Sequence, residues 1–270
     1  MRFANSREVS SPSNSLIKVF RRALSDGTTK QGWLAVEGPF LVEEALNAAP
    51  LVKTHSVLVA SGATEKFSTL IDRLPPEAEL TQVPDGLFAS VAQTQAPQGI
   101  AALVEIPSYK LEQVVSAPNP LVVVACRLQD PGNLGTMMRT ALAFSASAFL
   151  TLQDTVNPFN PKAVRSSSGA TFRLPLVCGL DPKEALPFLG QRLQIVAAER
   201  NSPISLDQAD LTGPIAILVG REATGLPEDI ARYATQSLNI PIRKEVDSIN
   251  AATAASIFLY EAARQRGFRY

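Results

Sequence analysis

The most constraining feature of the chain is the run Leu121-Val-Val-Val-Ala125, five apolar residues with no polar alternation, preceded by Pro120 and followed closely by a Gln129–Asn133 turn. A strand that faces water on one side alternates apolar with polar, so an unbroken β-branched run of this length reads as a strand buried on both faces. Further predominantly apolar strands follow at Phe149–Leu152, Leu193–Ala198 and Ile215–Val219. Between them lie helical stretches such as Leu134 to about Ala146. Buried strands alternating with helices specify an α/β domain with a mostly parallel sheet. Its last element is a helix from Ala251 to Arg266, with Ser248 or Asn250 placed to cap its start and Gly267 to end it.

The first half repeats the pattern on a smaller scale. Trp33 to Glu37 reads as a short strand running into Gly38-Pro39, and Phe40–Ala48 as a helix. Val57–Ala60 reads as a strand, Phe67–Leu74 as a helix stopped by Pro75-Pro76, and Gly99–Ile106 as a strand closed by Pro107. This is an α/β domain of its own. The polar, proline-punctuated stretch after it reads as a linker. The expected division is residues 1–107, a linker at 108–119, and residues 120–270. The Ser-rich start to about Ser15 reads as disordered. Leu16, Ile17, Phe20 and Leu24 then recur at helical spacing, with Lys18, Arg21 and Arg22 opposite. That basic side is either a solvated helix face or an edge that meets RNA.

Charge and residue counts remove several classes. Lys and Arg together number 25 and Asp and Glu 25, so no polyanion is held by bulk charge and any nucleic-acid grip is local. His55 is the only histidine, which leaves no His-based metal site. Cys126 and Cys178 make no disulfide framework and sit among apolar neighbours, where buried free thiols are common. No apolar run approaches membrane-spanning length, and Met1–Ser15 lacks an apolar signal core. A soluble cytoplasmic protein without a membrane partner is expected.

Three segments carry polar residues that packing does not require. Asp130-Pro-Gly-Asn133-Leu-Gly135, with Arg139 beyond, forms a strand-to-helix turn at the carboxyl end of a strand, where open α/β sheets bind ligands and a helix start attracts anions. Its plainer reading is Asn133 as a helix cap and Arg139 as a surface residue. Ile217 to Pro227 holds Gly220-Arg-Glu222-Ala-Thr-Gly225, neither a dinucleotide fingerprint nor a phosphate loop. It is a turn, or a place where backbone meets a cofactor. Asn239-Ile240-Pro241 through Ser248-Ile249-Asn250 directly precedes the terminal helix, where Ser248 as a cap suffices.

Taken in series, the three segments resemble the motifs of the SpoU (TrmH-type) RNA 2′-O-ribose methyltransferases of the SPOUT class: D-P-x-N-x-G…R-T-A, G-x-E-x-x-G-L and I-P-M…S-L-N. Val164-Arg165-Ser-Ser-Ser-Gly169-Ala170 resembles the family's V-R-x-S-x-G-A, and Val36-Glu37-Gly38 and Gln98-Gly99-Ile100 resemble its small substrate-binding domain. The resemblance implies a C-terminal α/β domain with a deep trefoil knot, and a homodimer formed through that domain. It also implies S-adenosyl-L-methionine held by backbone at Gly220, Ile240 and Ile249, with no metal. Asn133, Arg139, Glu222, Ser248 and Asn250 become the catalytic residues, and Arg139, Arg165, Arg21 and Arg22 the RNA-binding ones. In the family the arginine matching Arg139 is assigned as a general base. A guanidinium stays protonated in proteins, so the expected role is to hold the target's phosphate and stabilise the developing alkoxide. The implied substrate is structured RNA, ribosomal rather than transfer. The alternatives are a transfer-RNA methyltransferase and a non-enzymatic RNA-binding protein on the same fold.

The sequence departs from the family pattern at Arg221, at Ile242 for Met, at Ile249 for Leu, and at Lys244 where relatives have glycine. If position 244 needs a positive φ, Lys there is strained. Otherwise Arg221, Arg243 and Lys244 add a phosphate-binding edge.

Overall fold

The computed structural model describes residues 6–221 and 224–268. Strands β1 (Ser6–Glu8), β2 (Leu34–Glu37), β3 (Lys53–Ala60), β4 (Glu79–Val83) and β5 (Ile100–Glu105) form one sheet in the order β1-β4-β3-β5-β2, with β5 antiparallel to β2 and β3. Helices α1 (Ser15–Asp26), α2 (Pro39–Asn47), α3 (Ser68–Ile71) and α4 (Asp85–Ala89) connect these strands. Then follow α5 (Leu111–Val114), β6 (Leu121–Ala125), α6 (Pro131–Ala143), β7 (Ala148–Leu152), α7 (Pro161–Ser166), β8 (Leu176–Leu180) and α8 (Pro182–Gly190). The chain continues with β9 (Gln194–Ala198), β10 (Ile215–Val219), α9 (Glu228–Ala231), β11 (Gln236–Leu238) and α10 (Ala251–Gln265). The second sheet runs β11-β9-β10-β6-β7-β8 and is parallel throughout. The expected mixed α/β class and mostly parallel sheet are therefore observed.

Two compact units result. One comprises the residues up to Pro107 together with Phe159–Arg165, and the other Ser108–Pro158 together with Ser166 onward. Within the first, α1 is capped by Asn14, whose side chain accepts from Leu16 N, and buries Ile17, Phe20, Ala23 and Leu24. Gly27 ends it at φ +94°, and a Cβ there would overlap the Phe159 carbonyl, so only glycine lets that segment lie against the helix end. His55 sits at a bulge in β3 between Thr54 and Ser56. Its ring stacks on Trp33 at 4.0 Å, and its Nε2 lies 2.8 Å from Glu105 Oε2.

Several expectations need correction. Ser6–Glu8 are not disordered but form β1, parallel to β4. Arg7 anchors it with an ion pair to Glu79 at 2.8 Å and a bond to the Thr81 hydroxyl, and Val9 is buried behind. The helix expected at Phe67–Leu74 is only Ser68–Ile71. Helix α6 begins at Pro131, not Leu134, and stops at Ala143, which puts Arg139 on its third turn. Residues 108–119 contain α5, and Val114 and Val115 are buried in the core of the second unit with Val122, Leu150 and Ile195. Cys126 is buried and its thiol is pushed far up by desolvation, whereas Cys178 is exposed.

The all-parallel sheet is buried strand by strand: β6, β7 and β10 have no exposed residue. Helix α10 is fastened at its far end by Arg266, which donates to the carbonyls of Leu211 (3.0 Å), Asn119 (3.0 Å) and Gly213 (2.5 Å). The same half-buried guanidinium loses water, and desolvation lowers its pKa from the usual arginine value. Arg266→Ala leaves those carbonyls without their charged donor, so chemical denaturation is expected to report a loss of about 2–4 kcal/mol. Arg266→Lys, which lacks the planar fork, is expected to recover only part of it.

Candidate active site

The polar residues of the second unit gather where its strands end. Asp130 follows closely on β6, and its carboxylate accepts from Asn133 N at 2.9 Å, so Asp130, not Asn133, caps α6. Pro131 occupies the first helical turn, where a missing N–H costs nothing. The side chain of Asn133 is thereby released from capping. Its Oδ1 accepts from Asn250 Nδ2 at 2.9 Å, across 117 residues of sequence. Asn250 in turn caps α10, its Oδ1 accepting from Ala252 N (2.9 Å) and Thr253 N (3.1 Å). Because the Asn250 oxygen is committed to the helix start, only its amide nitrogen can face Asn133, and the orientation of both amides follows. Two turns on, Thr140 of α6 and Ser256 of α10 bond at 3.1 Å, so the two helices lie side by side.

Arg139 lies elsewhere on α6. Six residues beyond Asn133, it sits about a third of a turn around the helix, on an exposed stripe with Thr136. Among the described residues its side chain has no hydrogen bond or ion pair.

The strand ends on the other side frame a cavity of about 720 Å³. Gly220, Ile240, Ser248 and Ile249 all line it, with Leu238 and Phe258 as apolar wall. Gly220 has no room for a side chain: a Cβ would overlap the carbonyl of Gly225 and lie 2.6 Å from Leu226 N. The loop folds back because Arg221 and Gly225 exchange backbone bonds of 3.1 and 2.9 Å, with Gly225 at φ +66°. Arg221 Nε, donating to the Arg127 carbonyl at 2.8 Å, pins the same turn. Glu222 lies outside the described residues. Lys244 is not among the residues with positive φ, so the strain considered for that position does not arise. It lies instead in an exposed turn, Val246 N donating to Arg243 O at 3.0 Å.

The remaining sequence candidates are dispersed. Arg21 reaches the Ser90 hydroxyl at 3.3 Å, Arg22 pairs with Asp26 at 3.2 Å, and Arg165 is exposed. Sequence reasoning missed Glu199 and Arg200, which also line the cavity just past β9, Arg200 pairing with Asp247 at 3.3 Å. The available signal was the switch from an apolar strand to Glu-Arg-Asn at 199–201. Among the described residues no cluster of three His, Cys, Asp or Glu is placed to hold a metal, and no helix is long and apolar enough to cross a membrane.

Comparison with known proteins finds relatives over nearly the whole chain. Residues 120–260 match the family model described as SpoU rRNA Methylase family, and residues 27–102 match an MRM3-like substrate binding domain. An uncharacterized tRNA/rRNA methyltransferase of Synechocystis sp. is 33% identical, covering 96% of this chain and 94% of its own. The 23S rRNA (guanosine(2553)-2′-O)-methyltransferase of Bacillus subtilis is 29% identical, covering 94% and 98%. The crystal structure of AdoMet-bound rRNA methyltransferase from Sinorhizobium meliloti superposes with a TM-score of 0.80 at 27% identity, over 97% of this chain and 98% of that one.

The double duty of Asn250 is separable. Asn250→Ala removes both cap and amide pair and is expected to cost about 1–2 kcal/mol in urea denaturation. Asn250→Asp keeps the cap oxygen and is expected to recover most of that stability, while losing the donor to Asn133.

Proposed function

The chain belongs to the SpoU rRNA methylase family, and from that premise we propose that it transfers a methyl group from S-adenosylmethionine to a ribose 2′-oxygen of structured RNA, ribosomal rather than transfer. The observation that carries this reading is the convergence of Gly220, Ile240, Ser248 and Ile249 on one cavity, next to the Asn133–Asn250 pair. The cavity is of ligand size, its walls combine aliphatic with polar residues, and Gly220 exposes bare backbone to it, which suits an adenosine ringed by main-chain groups.

When bound, the cofactor supplies an electrophilic methyl carbon on a sulfonium. The chain's own task is to hold a ribose hydroxyl in line with that carbon, and positioning alone is worth several kcal/mol of barrier. Asn133 and Asn250 orient the ribose from their mutually fixed amides. Arg139, exposed and without a hydrogen bond or ion pair among the described residues, holds the target's phosphate and stabilises the alkoxide as it develops. Glu222 fixes Arg139 or its own loop, and Ser248 shapes the cavity mouth.

Residues 1–107 are assigned the grip on RNA and residues 120–270 the chemistry, with residues 108–119, packed on the second unit, leading from one to the other. Arg165, Arg21 and Arg22 contribute phosphate contacts. Exchanging Ser90 and Asp26 for phosphate is cheap, since exposed pairs are worth under about 1 kcal/mol. A homodimer through the C-terminal domain is supported by an exposed aromatic surface, where Tyr260 meets Phe144 at 5.8 Å and Phe268 at 5.7 Å between ring centres. The trefoil knot and a cytoplasmic location complete the reading.

The test incubates the protein with S-adenosylmethionine and ribosomal RNA lacking native methylation, then digests to nucleosides and weighs them. A 2′-O-methyl nucleoside is expected, reduced at least about a hundredfold in Arg139→Ala while cofactor binding stays within a few fold. Full turnover in that variant removes Arg139 from the mechanism. Product on transfer RNA alone changes the substrate. RNA retention with neither product nor cofactor binding leaves the non-enzymatic reading.

A further inference from the structure

We propose that Glu199 recognises the ribose diol of the cofactor's adenosine, an inference that rests on the cofactor reading above. Strand β9 lies between β10 and β11, so its end stands between the strands that lead to Gly220 and Ile240. Glu199 is the first residue beyond it, and its N–H donates to Leu238 O at 3.0 Å, which locks its backbone to the edge of the sheet. Its side chain lines the cavity and is half-buried.

The carboxylate has no hydrogen bond or ion pair among the described residues. Its neighbour Arg200 is spent on Asp247. A half-buried carboxylate in a cavity that also presents Leu238, Ile240, Ile249 and Phe258 can only accept, so a ligand that fills the cavity must offer it donors. A vicinal diol offers two O–H donors side by side. With adenine assigned to the backbone at Gly220 and Ile240, Glu199, at the end of the strand between the two that lead there, is assigned the sugar attached to it. A strand-end carboxylate accepting from a ribose hydroxyl is the solution that dinucleotide sites reach on a different fold. The competing partner, the ammonium of the methionine end, is separated from the adenine by the whole sugar.

The experiment is calorimetric binding of S-adenosylhomocysteine and of its 2′,3′-dideoxyadenosyl counterpart to the full chain, wild type, Glu199→Gln and Glu199→Ala. Wild type is expected to prefer the ribo ligand. Glu199→Ala is expected to weaken the ribo ligand about tenfold or more and leave the dideoxy ligand unchanged, so that the preference collapses. Glu199→Gln, which keeps one acceptor, is expected to fall between. Equal weakening of both ligands overturns the proposal, because the carboxylate then serves another part of the ligand or the shape of the site. An unchanged ribo affinity overturns it as well. Wild type that binds neither ligand overturns the cofactor reading itself, and this inference with it.

Discussion

A parallel sheet closed on both faces dictates where anything else can happen in the second unit. Along β6, β7 and β10 the side chains are buried and the peptide groups are spent on neighbouring strands. No polar chemistry fits there. All six strands point the same way, so their carboxyl ends share one edge, and the segments leaving that edge supply the site: Asp130 after β6, Glu199 after β9, Gly220 after β10 and Ile240 after β11. The site is less a feature added to the fold than the one margin the fold leaves open.

Two helix starts turn that margin into a defined geometry. Asp130 and Asn250 satisfy the first N–H groups of α6 and α10, and the spare amide of Asn250 then reaches Asn133. A neutral hydrogen bond of this kind contributes only about 1 kcal/mol. Its importance is geometric. It ties the end of the exposed 241–248 stretch to the beginning of α6, so a segment with little burial of its own still finishes at a fixed point. Gly220 acts in the same way on the other flank, where the absence of a side chain admits the returning turn at Gly225.

What could be read from the sequence follows from this division. Leu121–Ala125 and Ile215–Val219 were legible because burial on both sides leaves an uninterrupted apolar run. Glu79–Val83 was not, since Glu-Leu-Thr-Gln-Val alternates weakly and carries no strong strand signal. Ser6–Glu8 was missed for a different reason: three residues hold no period, and their order comes from Arg7 meeting Glu79 far along the chain. Leu176–Leu180 runs Leu-Val-Cys-Gly-Leu, with two of its five residues exposed at the far edge of the sheet. At the site, the residue types were visible as motifs, but their partnership was not. Asn133 looked like a cap because Asx residues favour helix starts, and Asp130 with Pro131 had the better claim. No local pattern links Asn133 to Asn250, and Glu199, directly after an apolar run, belongs to no motif.

One pairing in the first unit has a spectroscopic meaning. The chain has a single tryptophan, Trp33, and it lies flat against His55 at the bulged start of β3. The second unit, with none, is dark at the wavelengths where indole emits. Intrinsic fluorescence of the intact protein is therefore a private channel to the first unit, and the stacked imidazole makes that channel sensitive to whatever shifts the start of this strand.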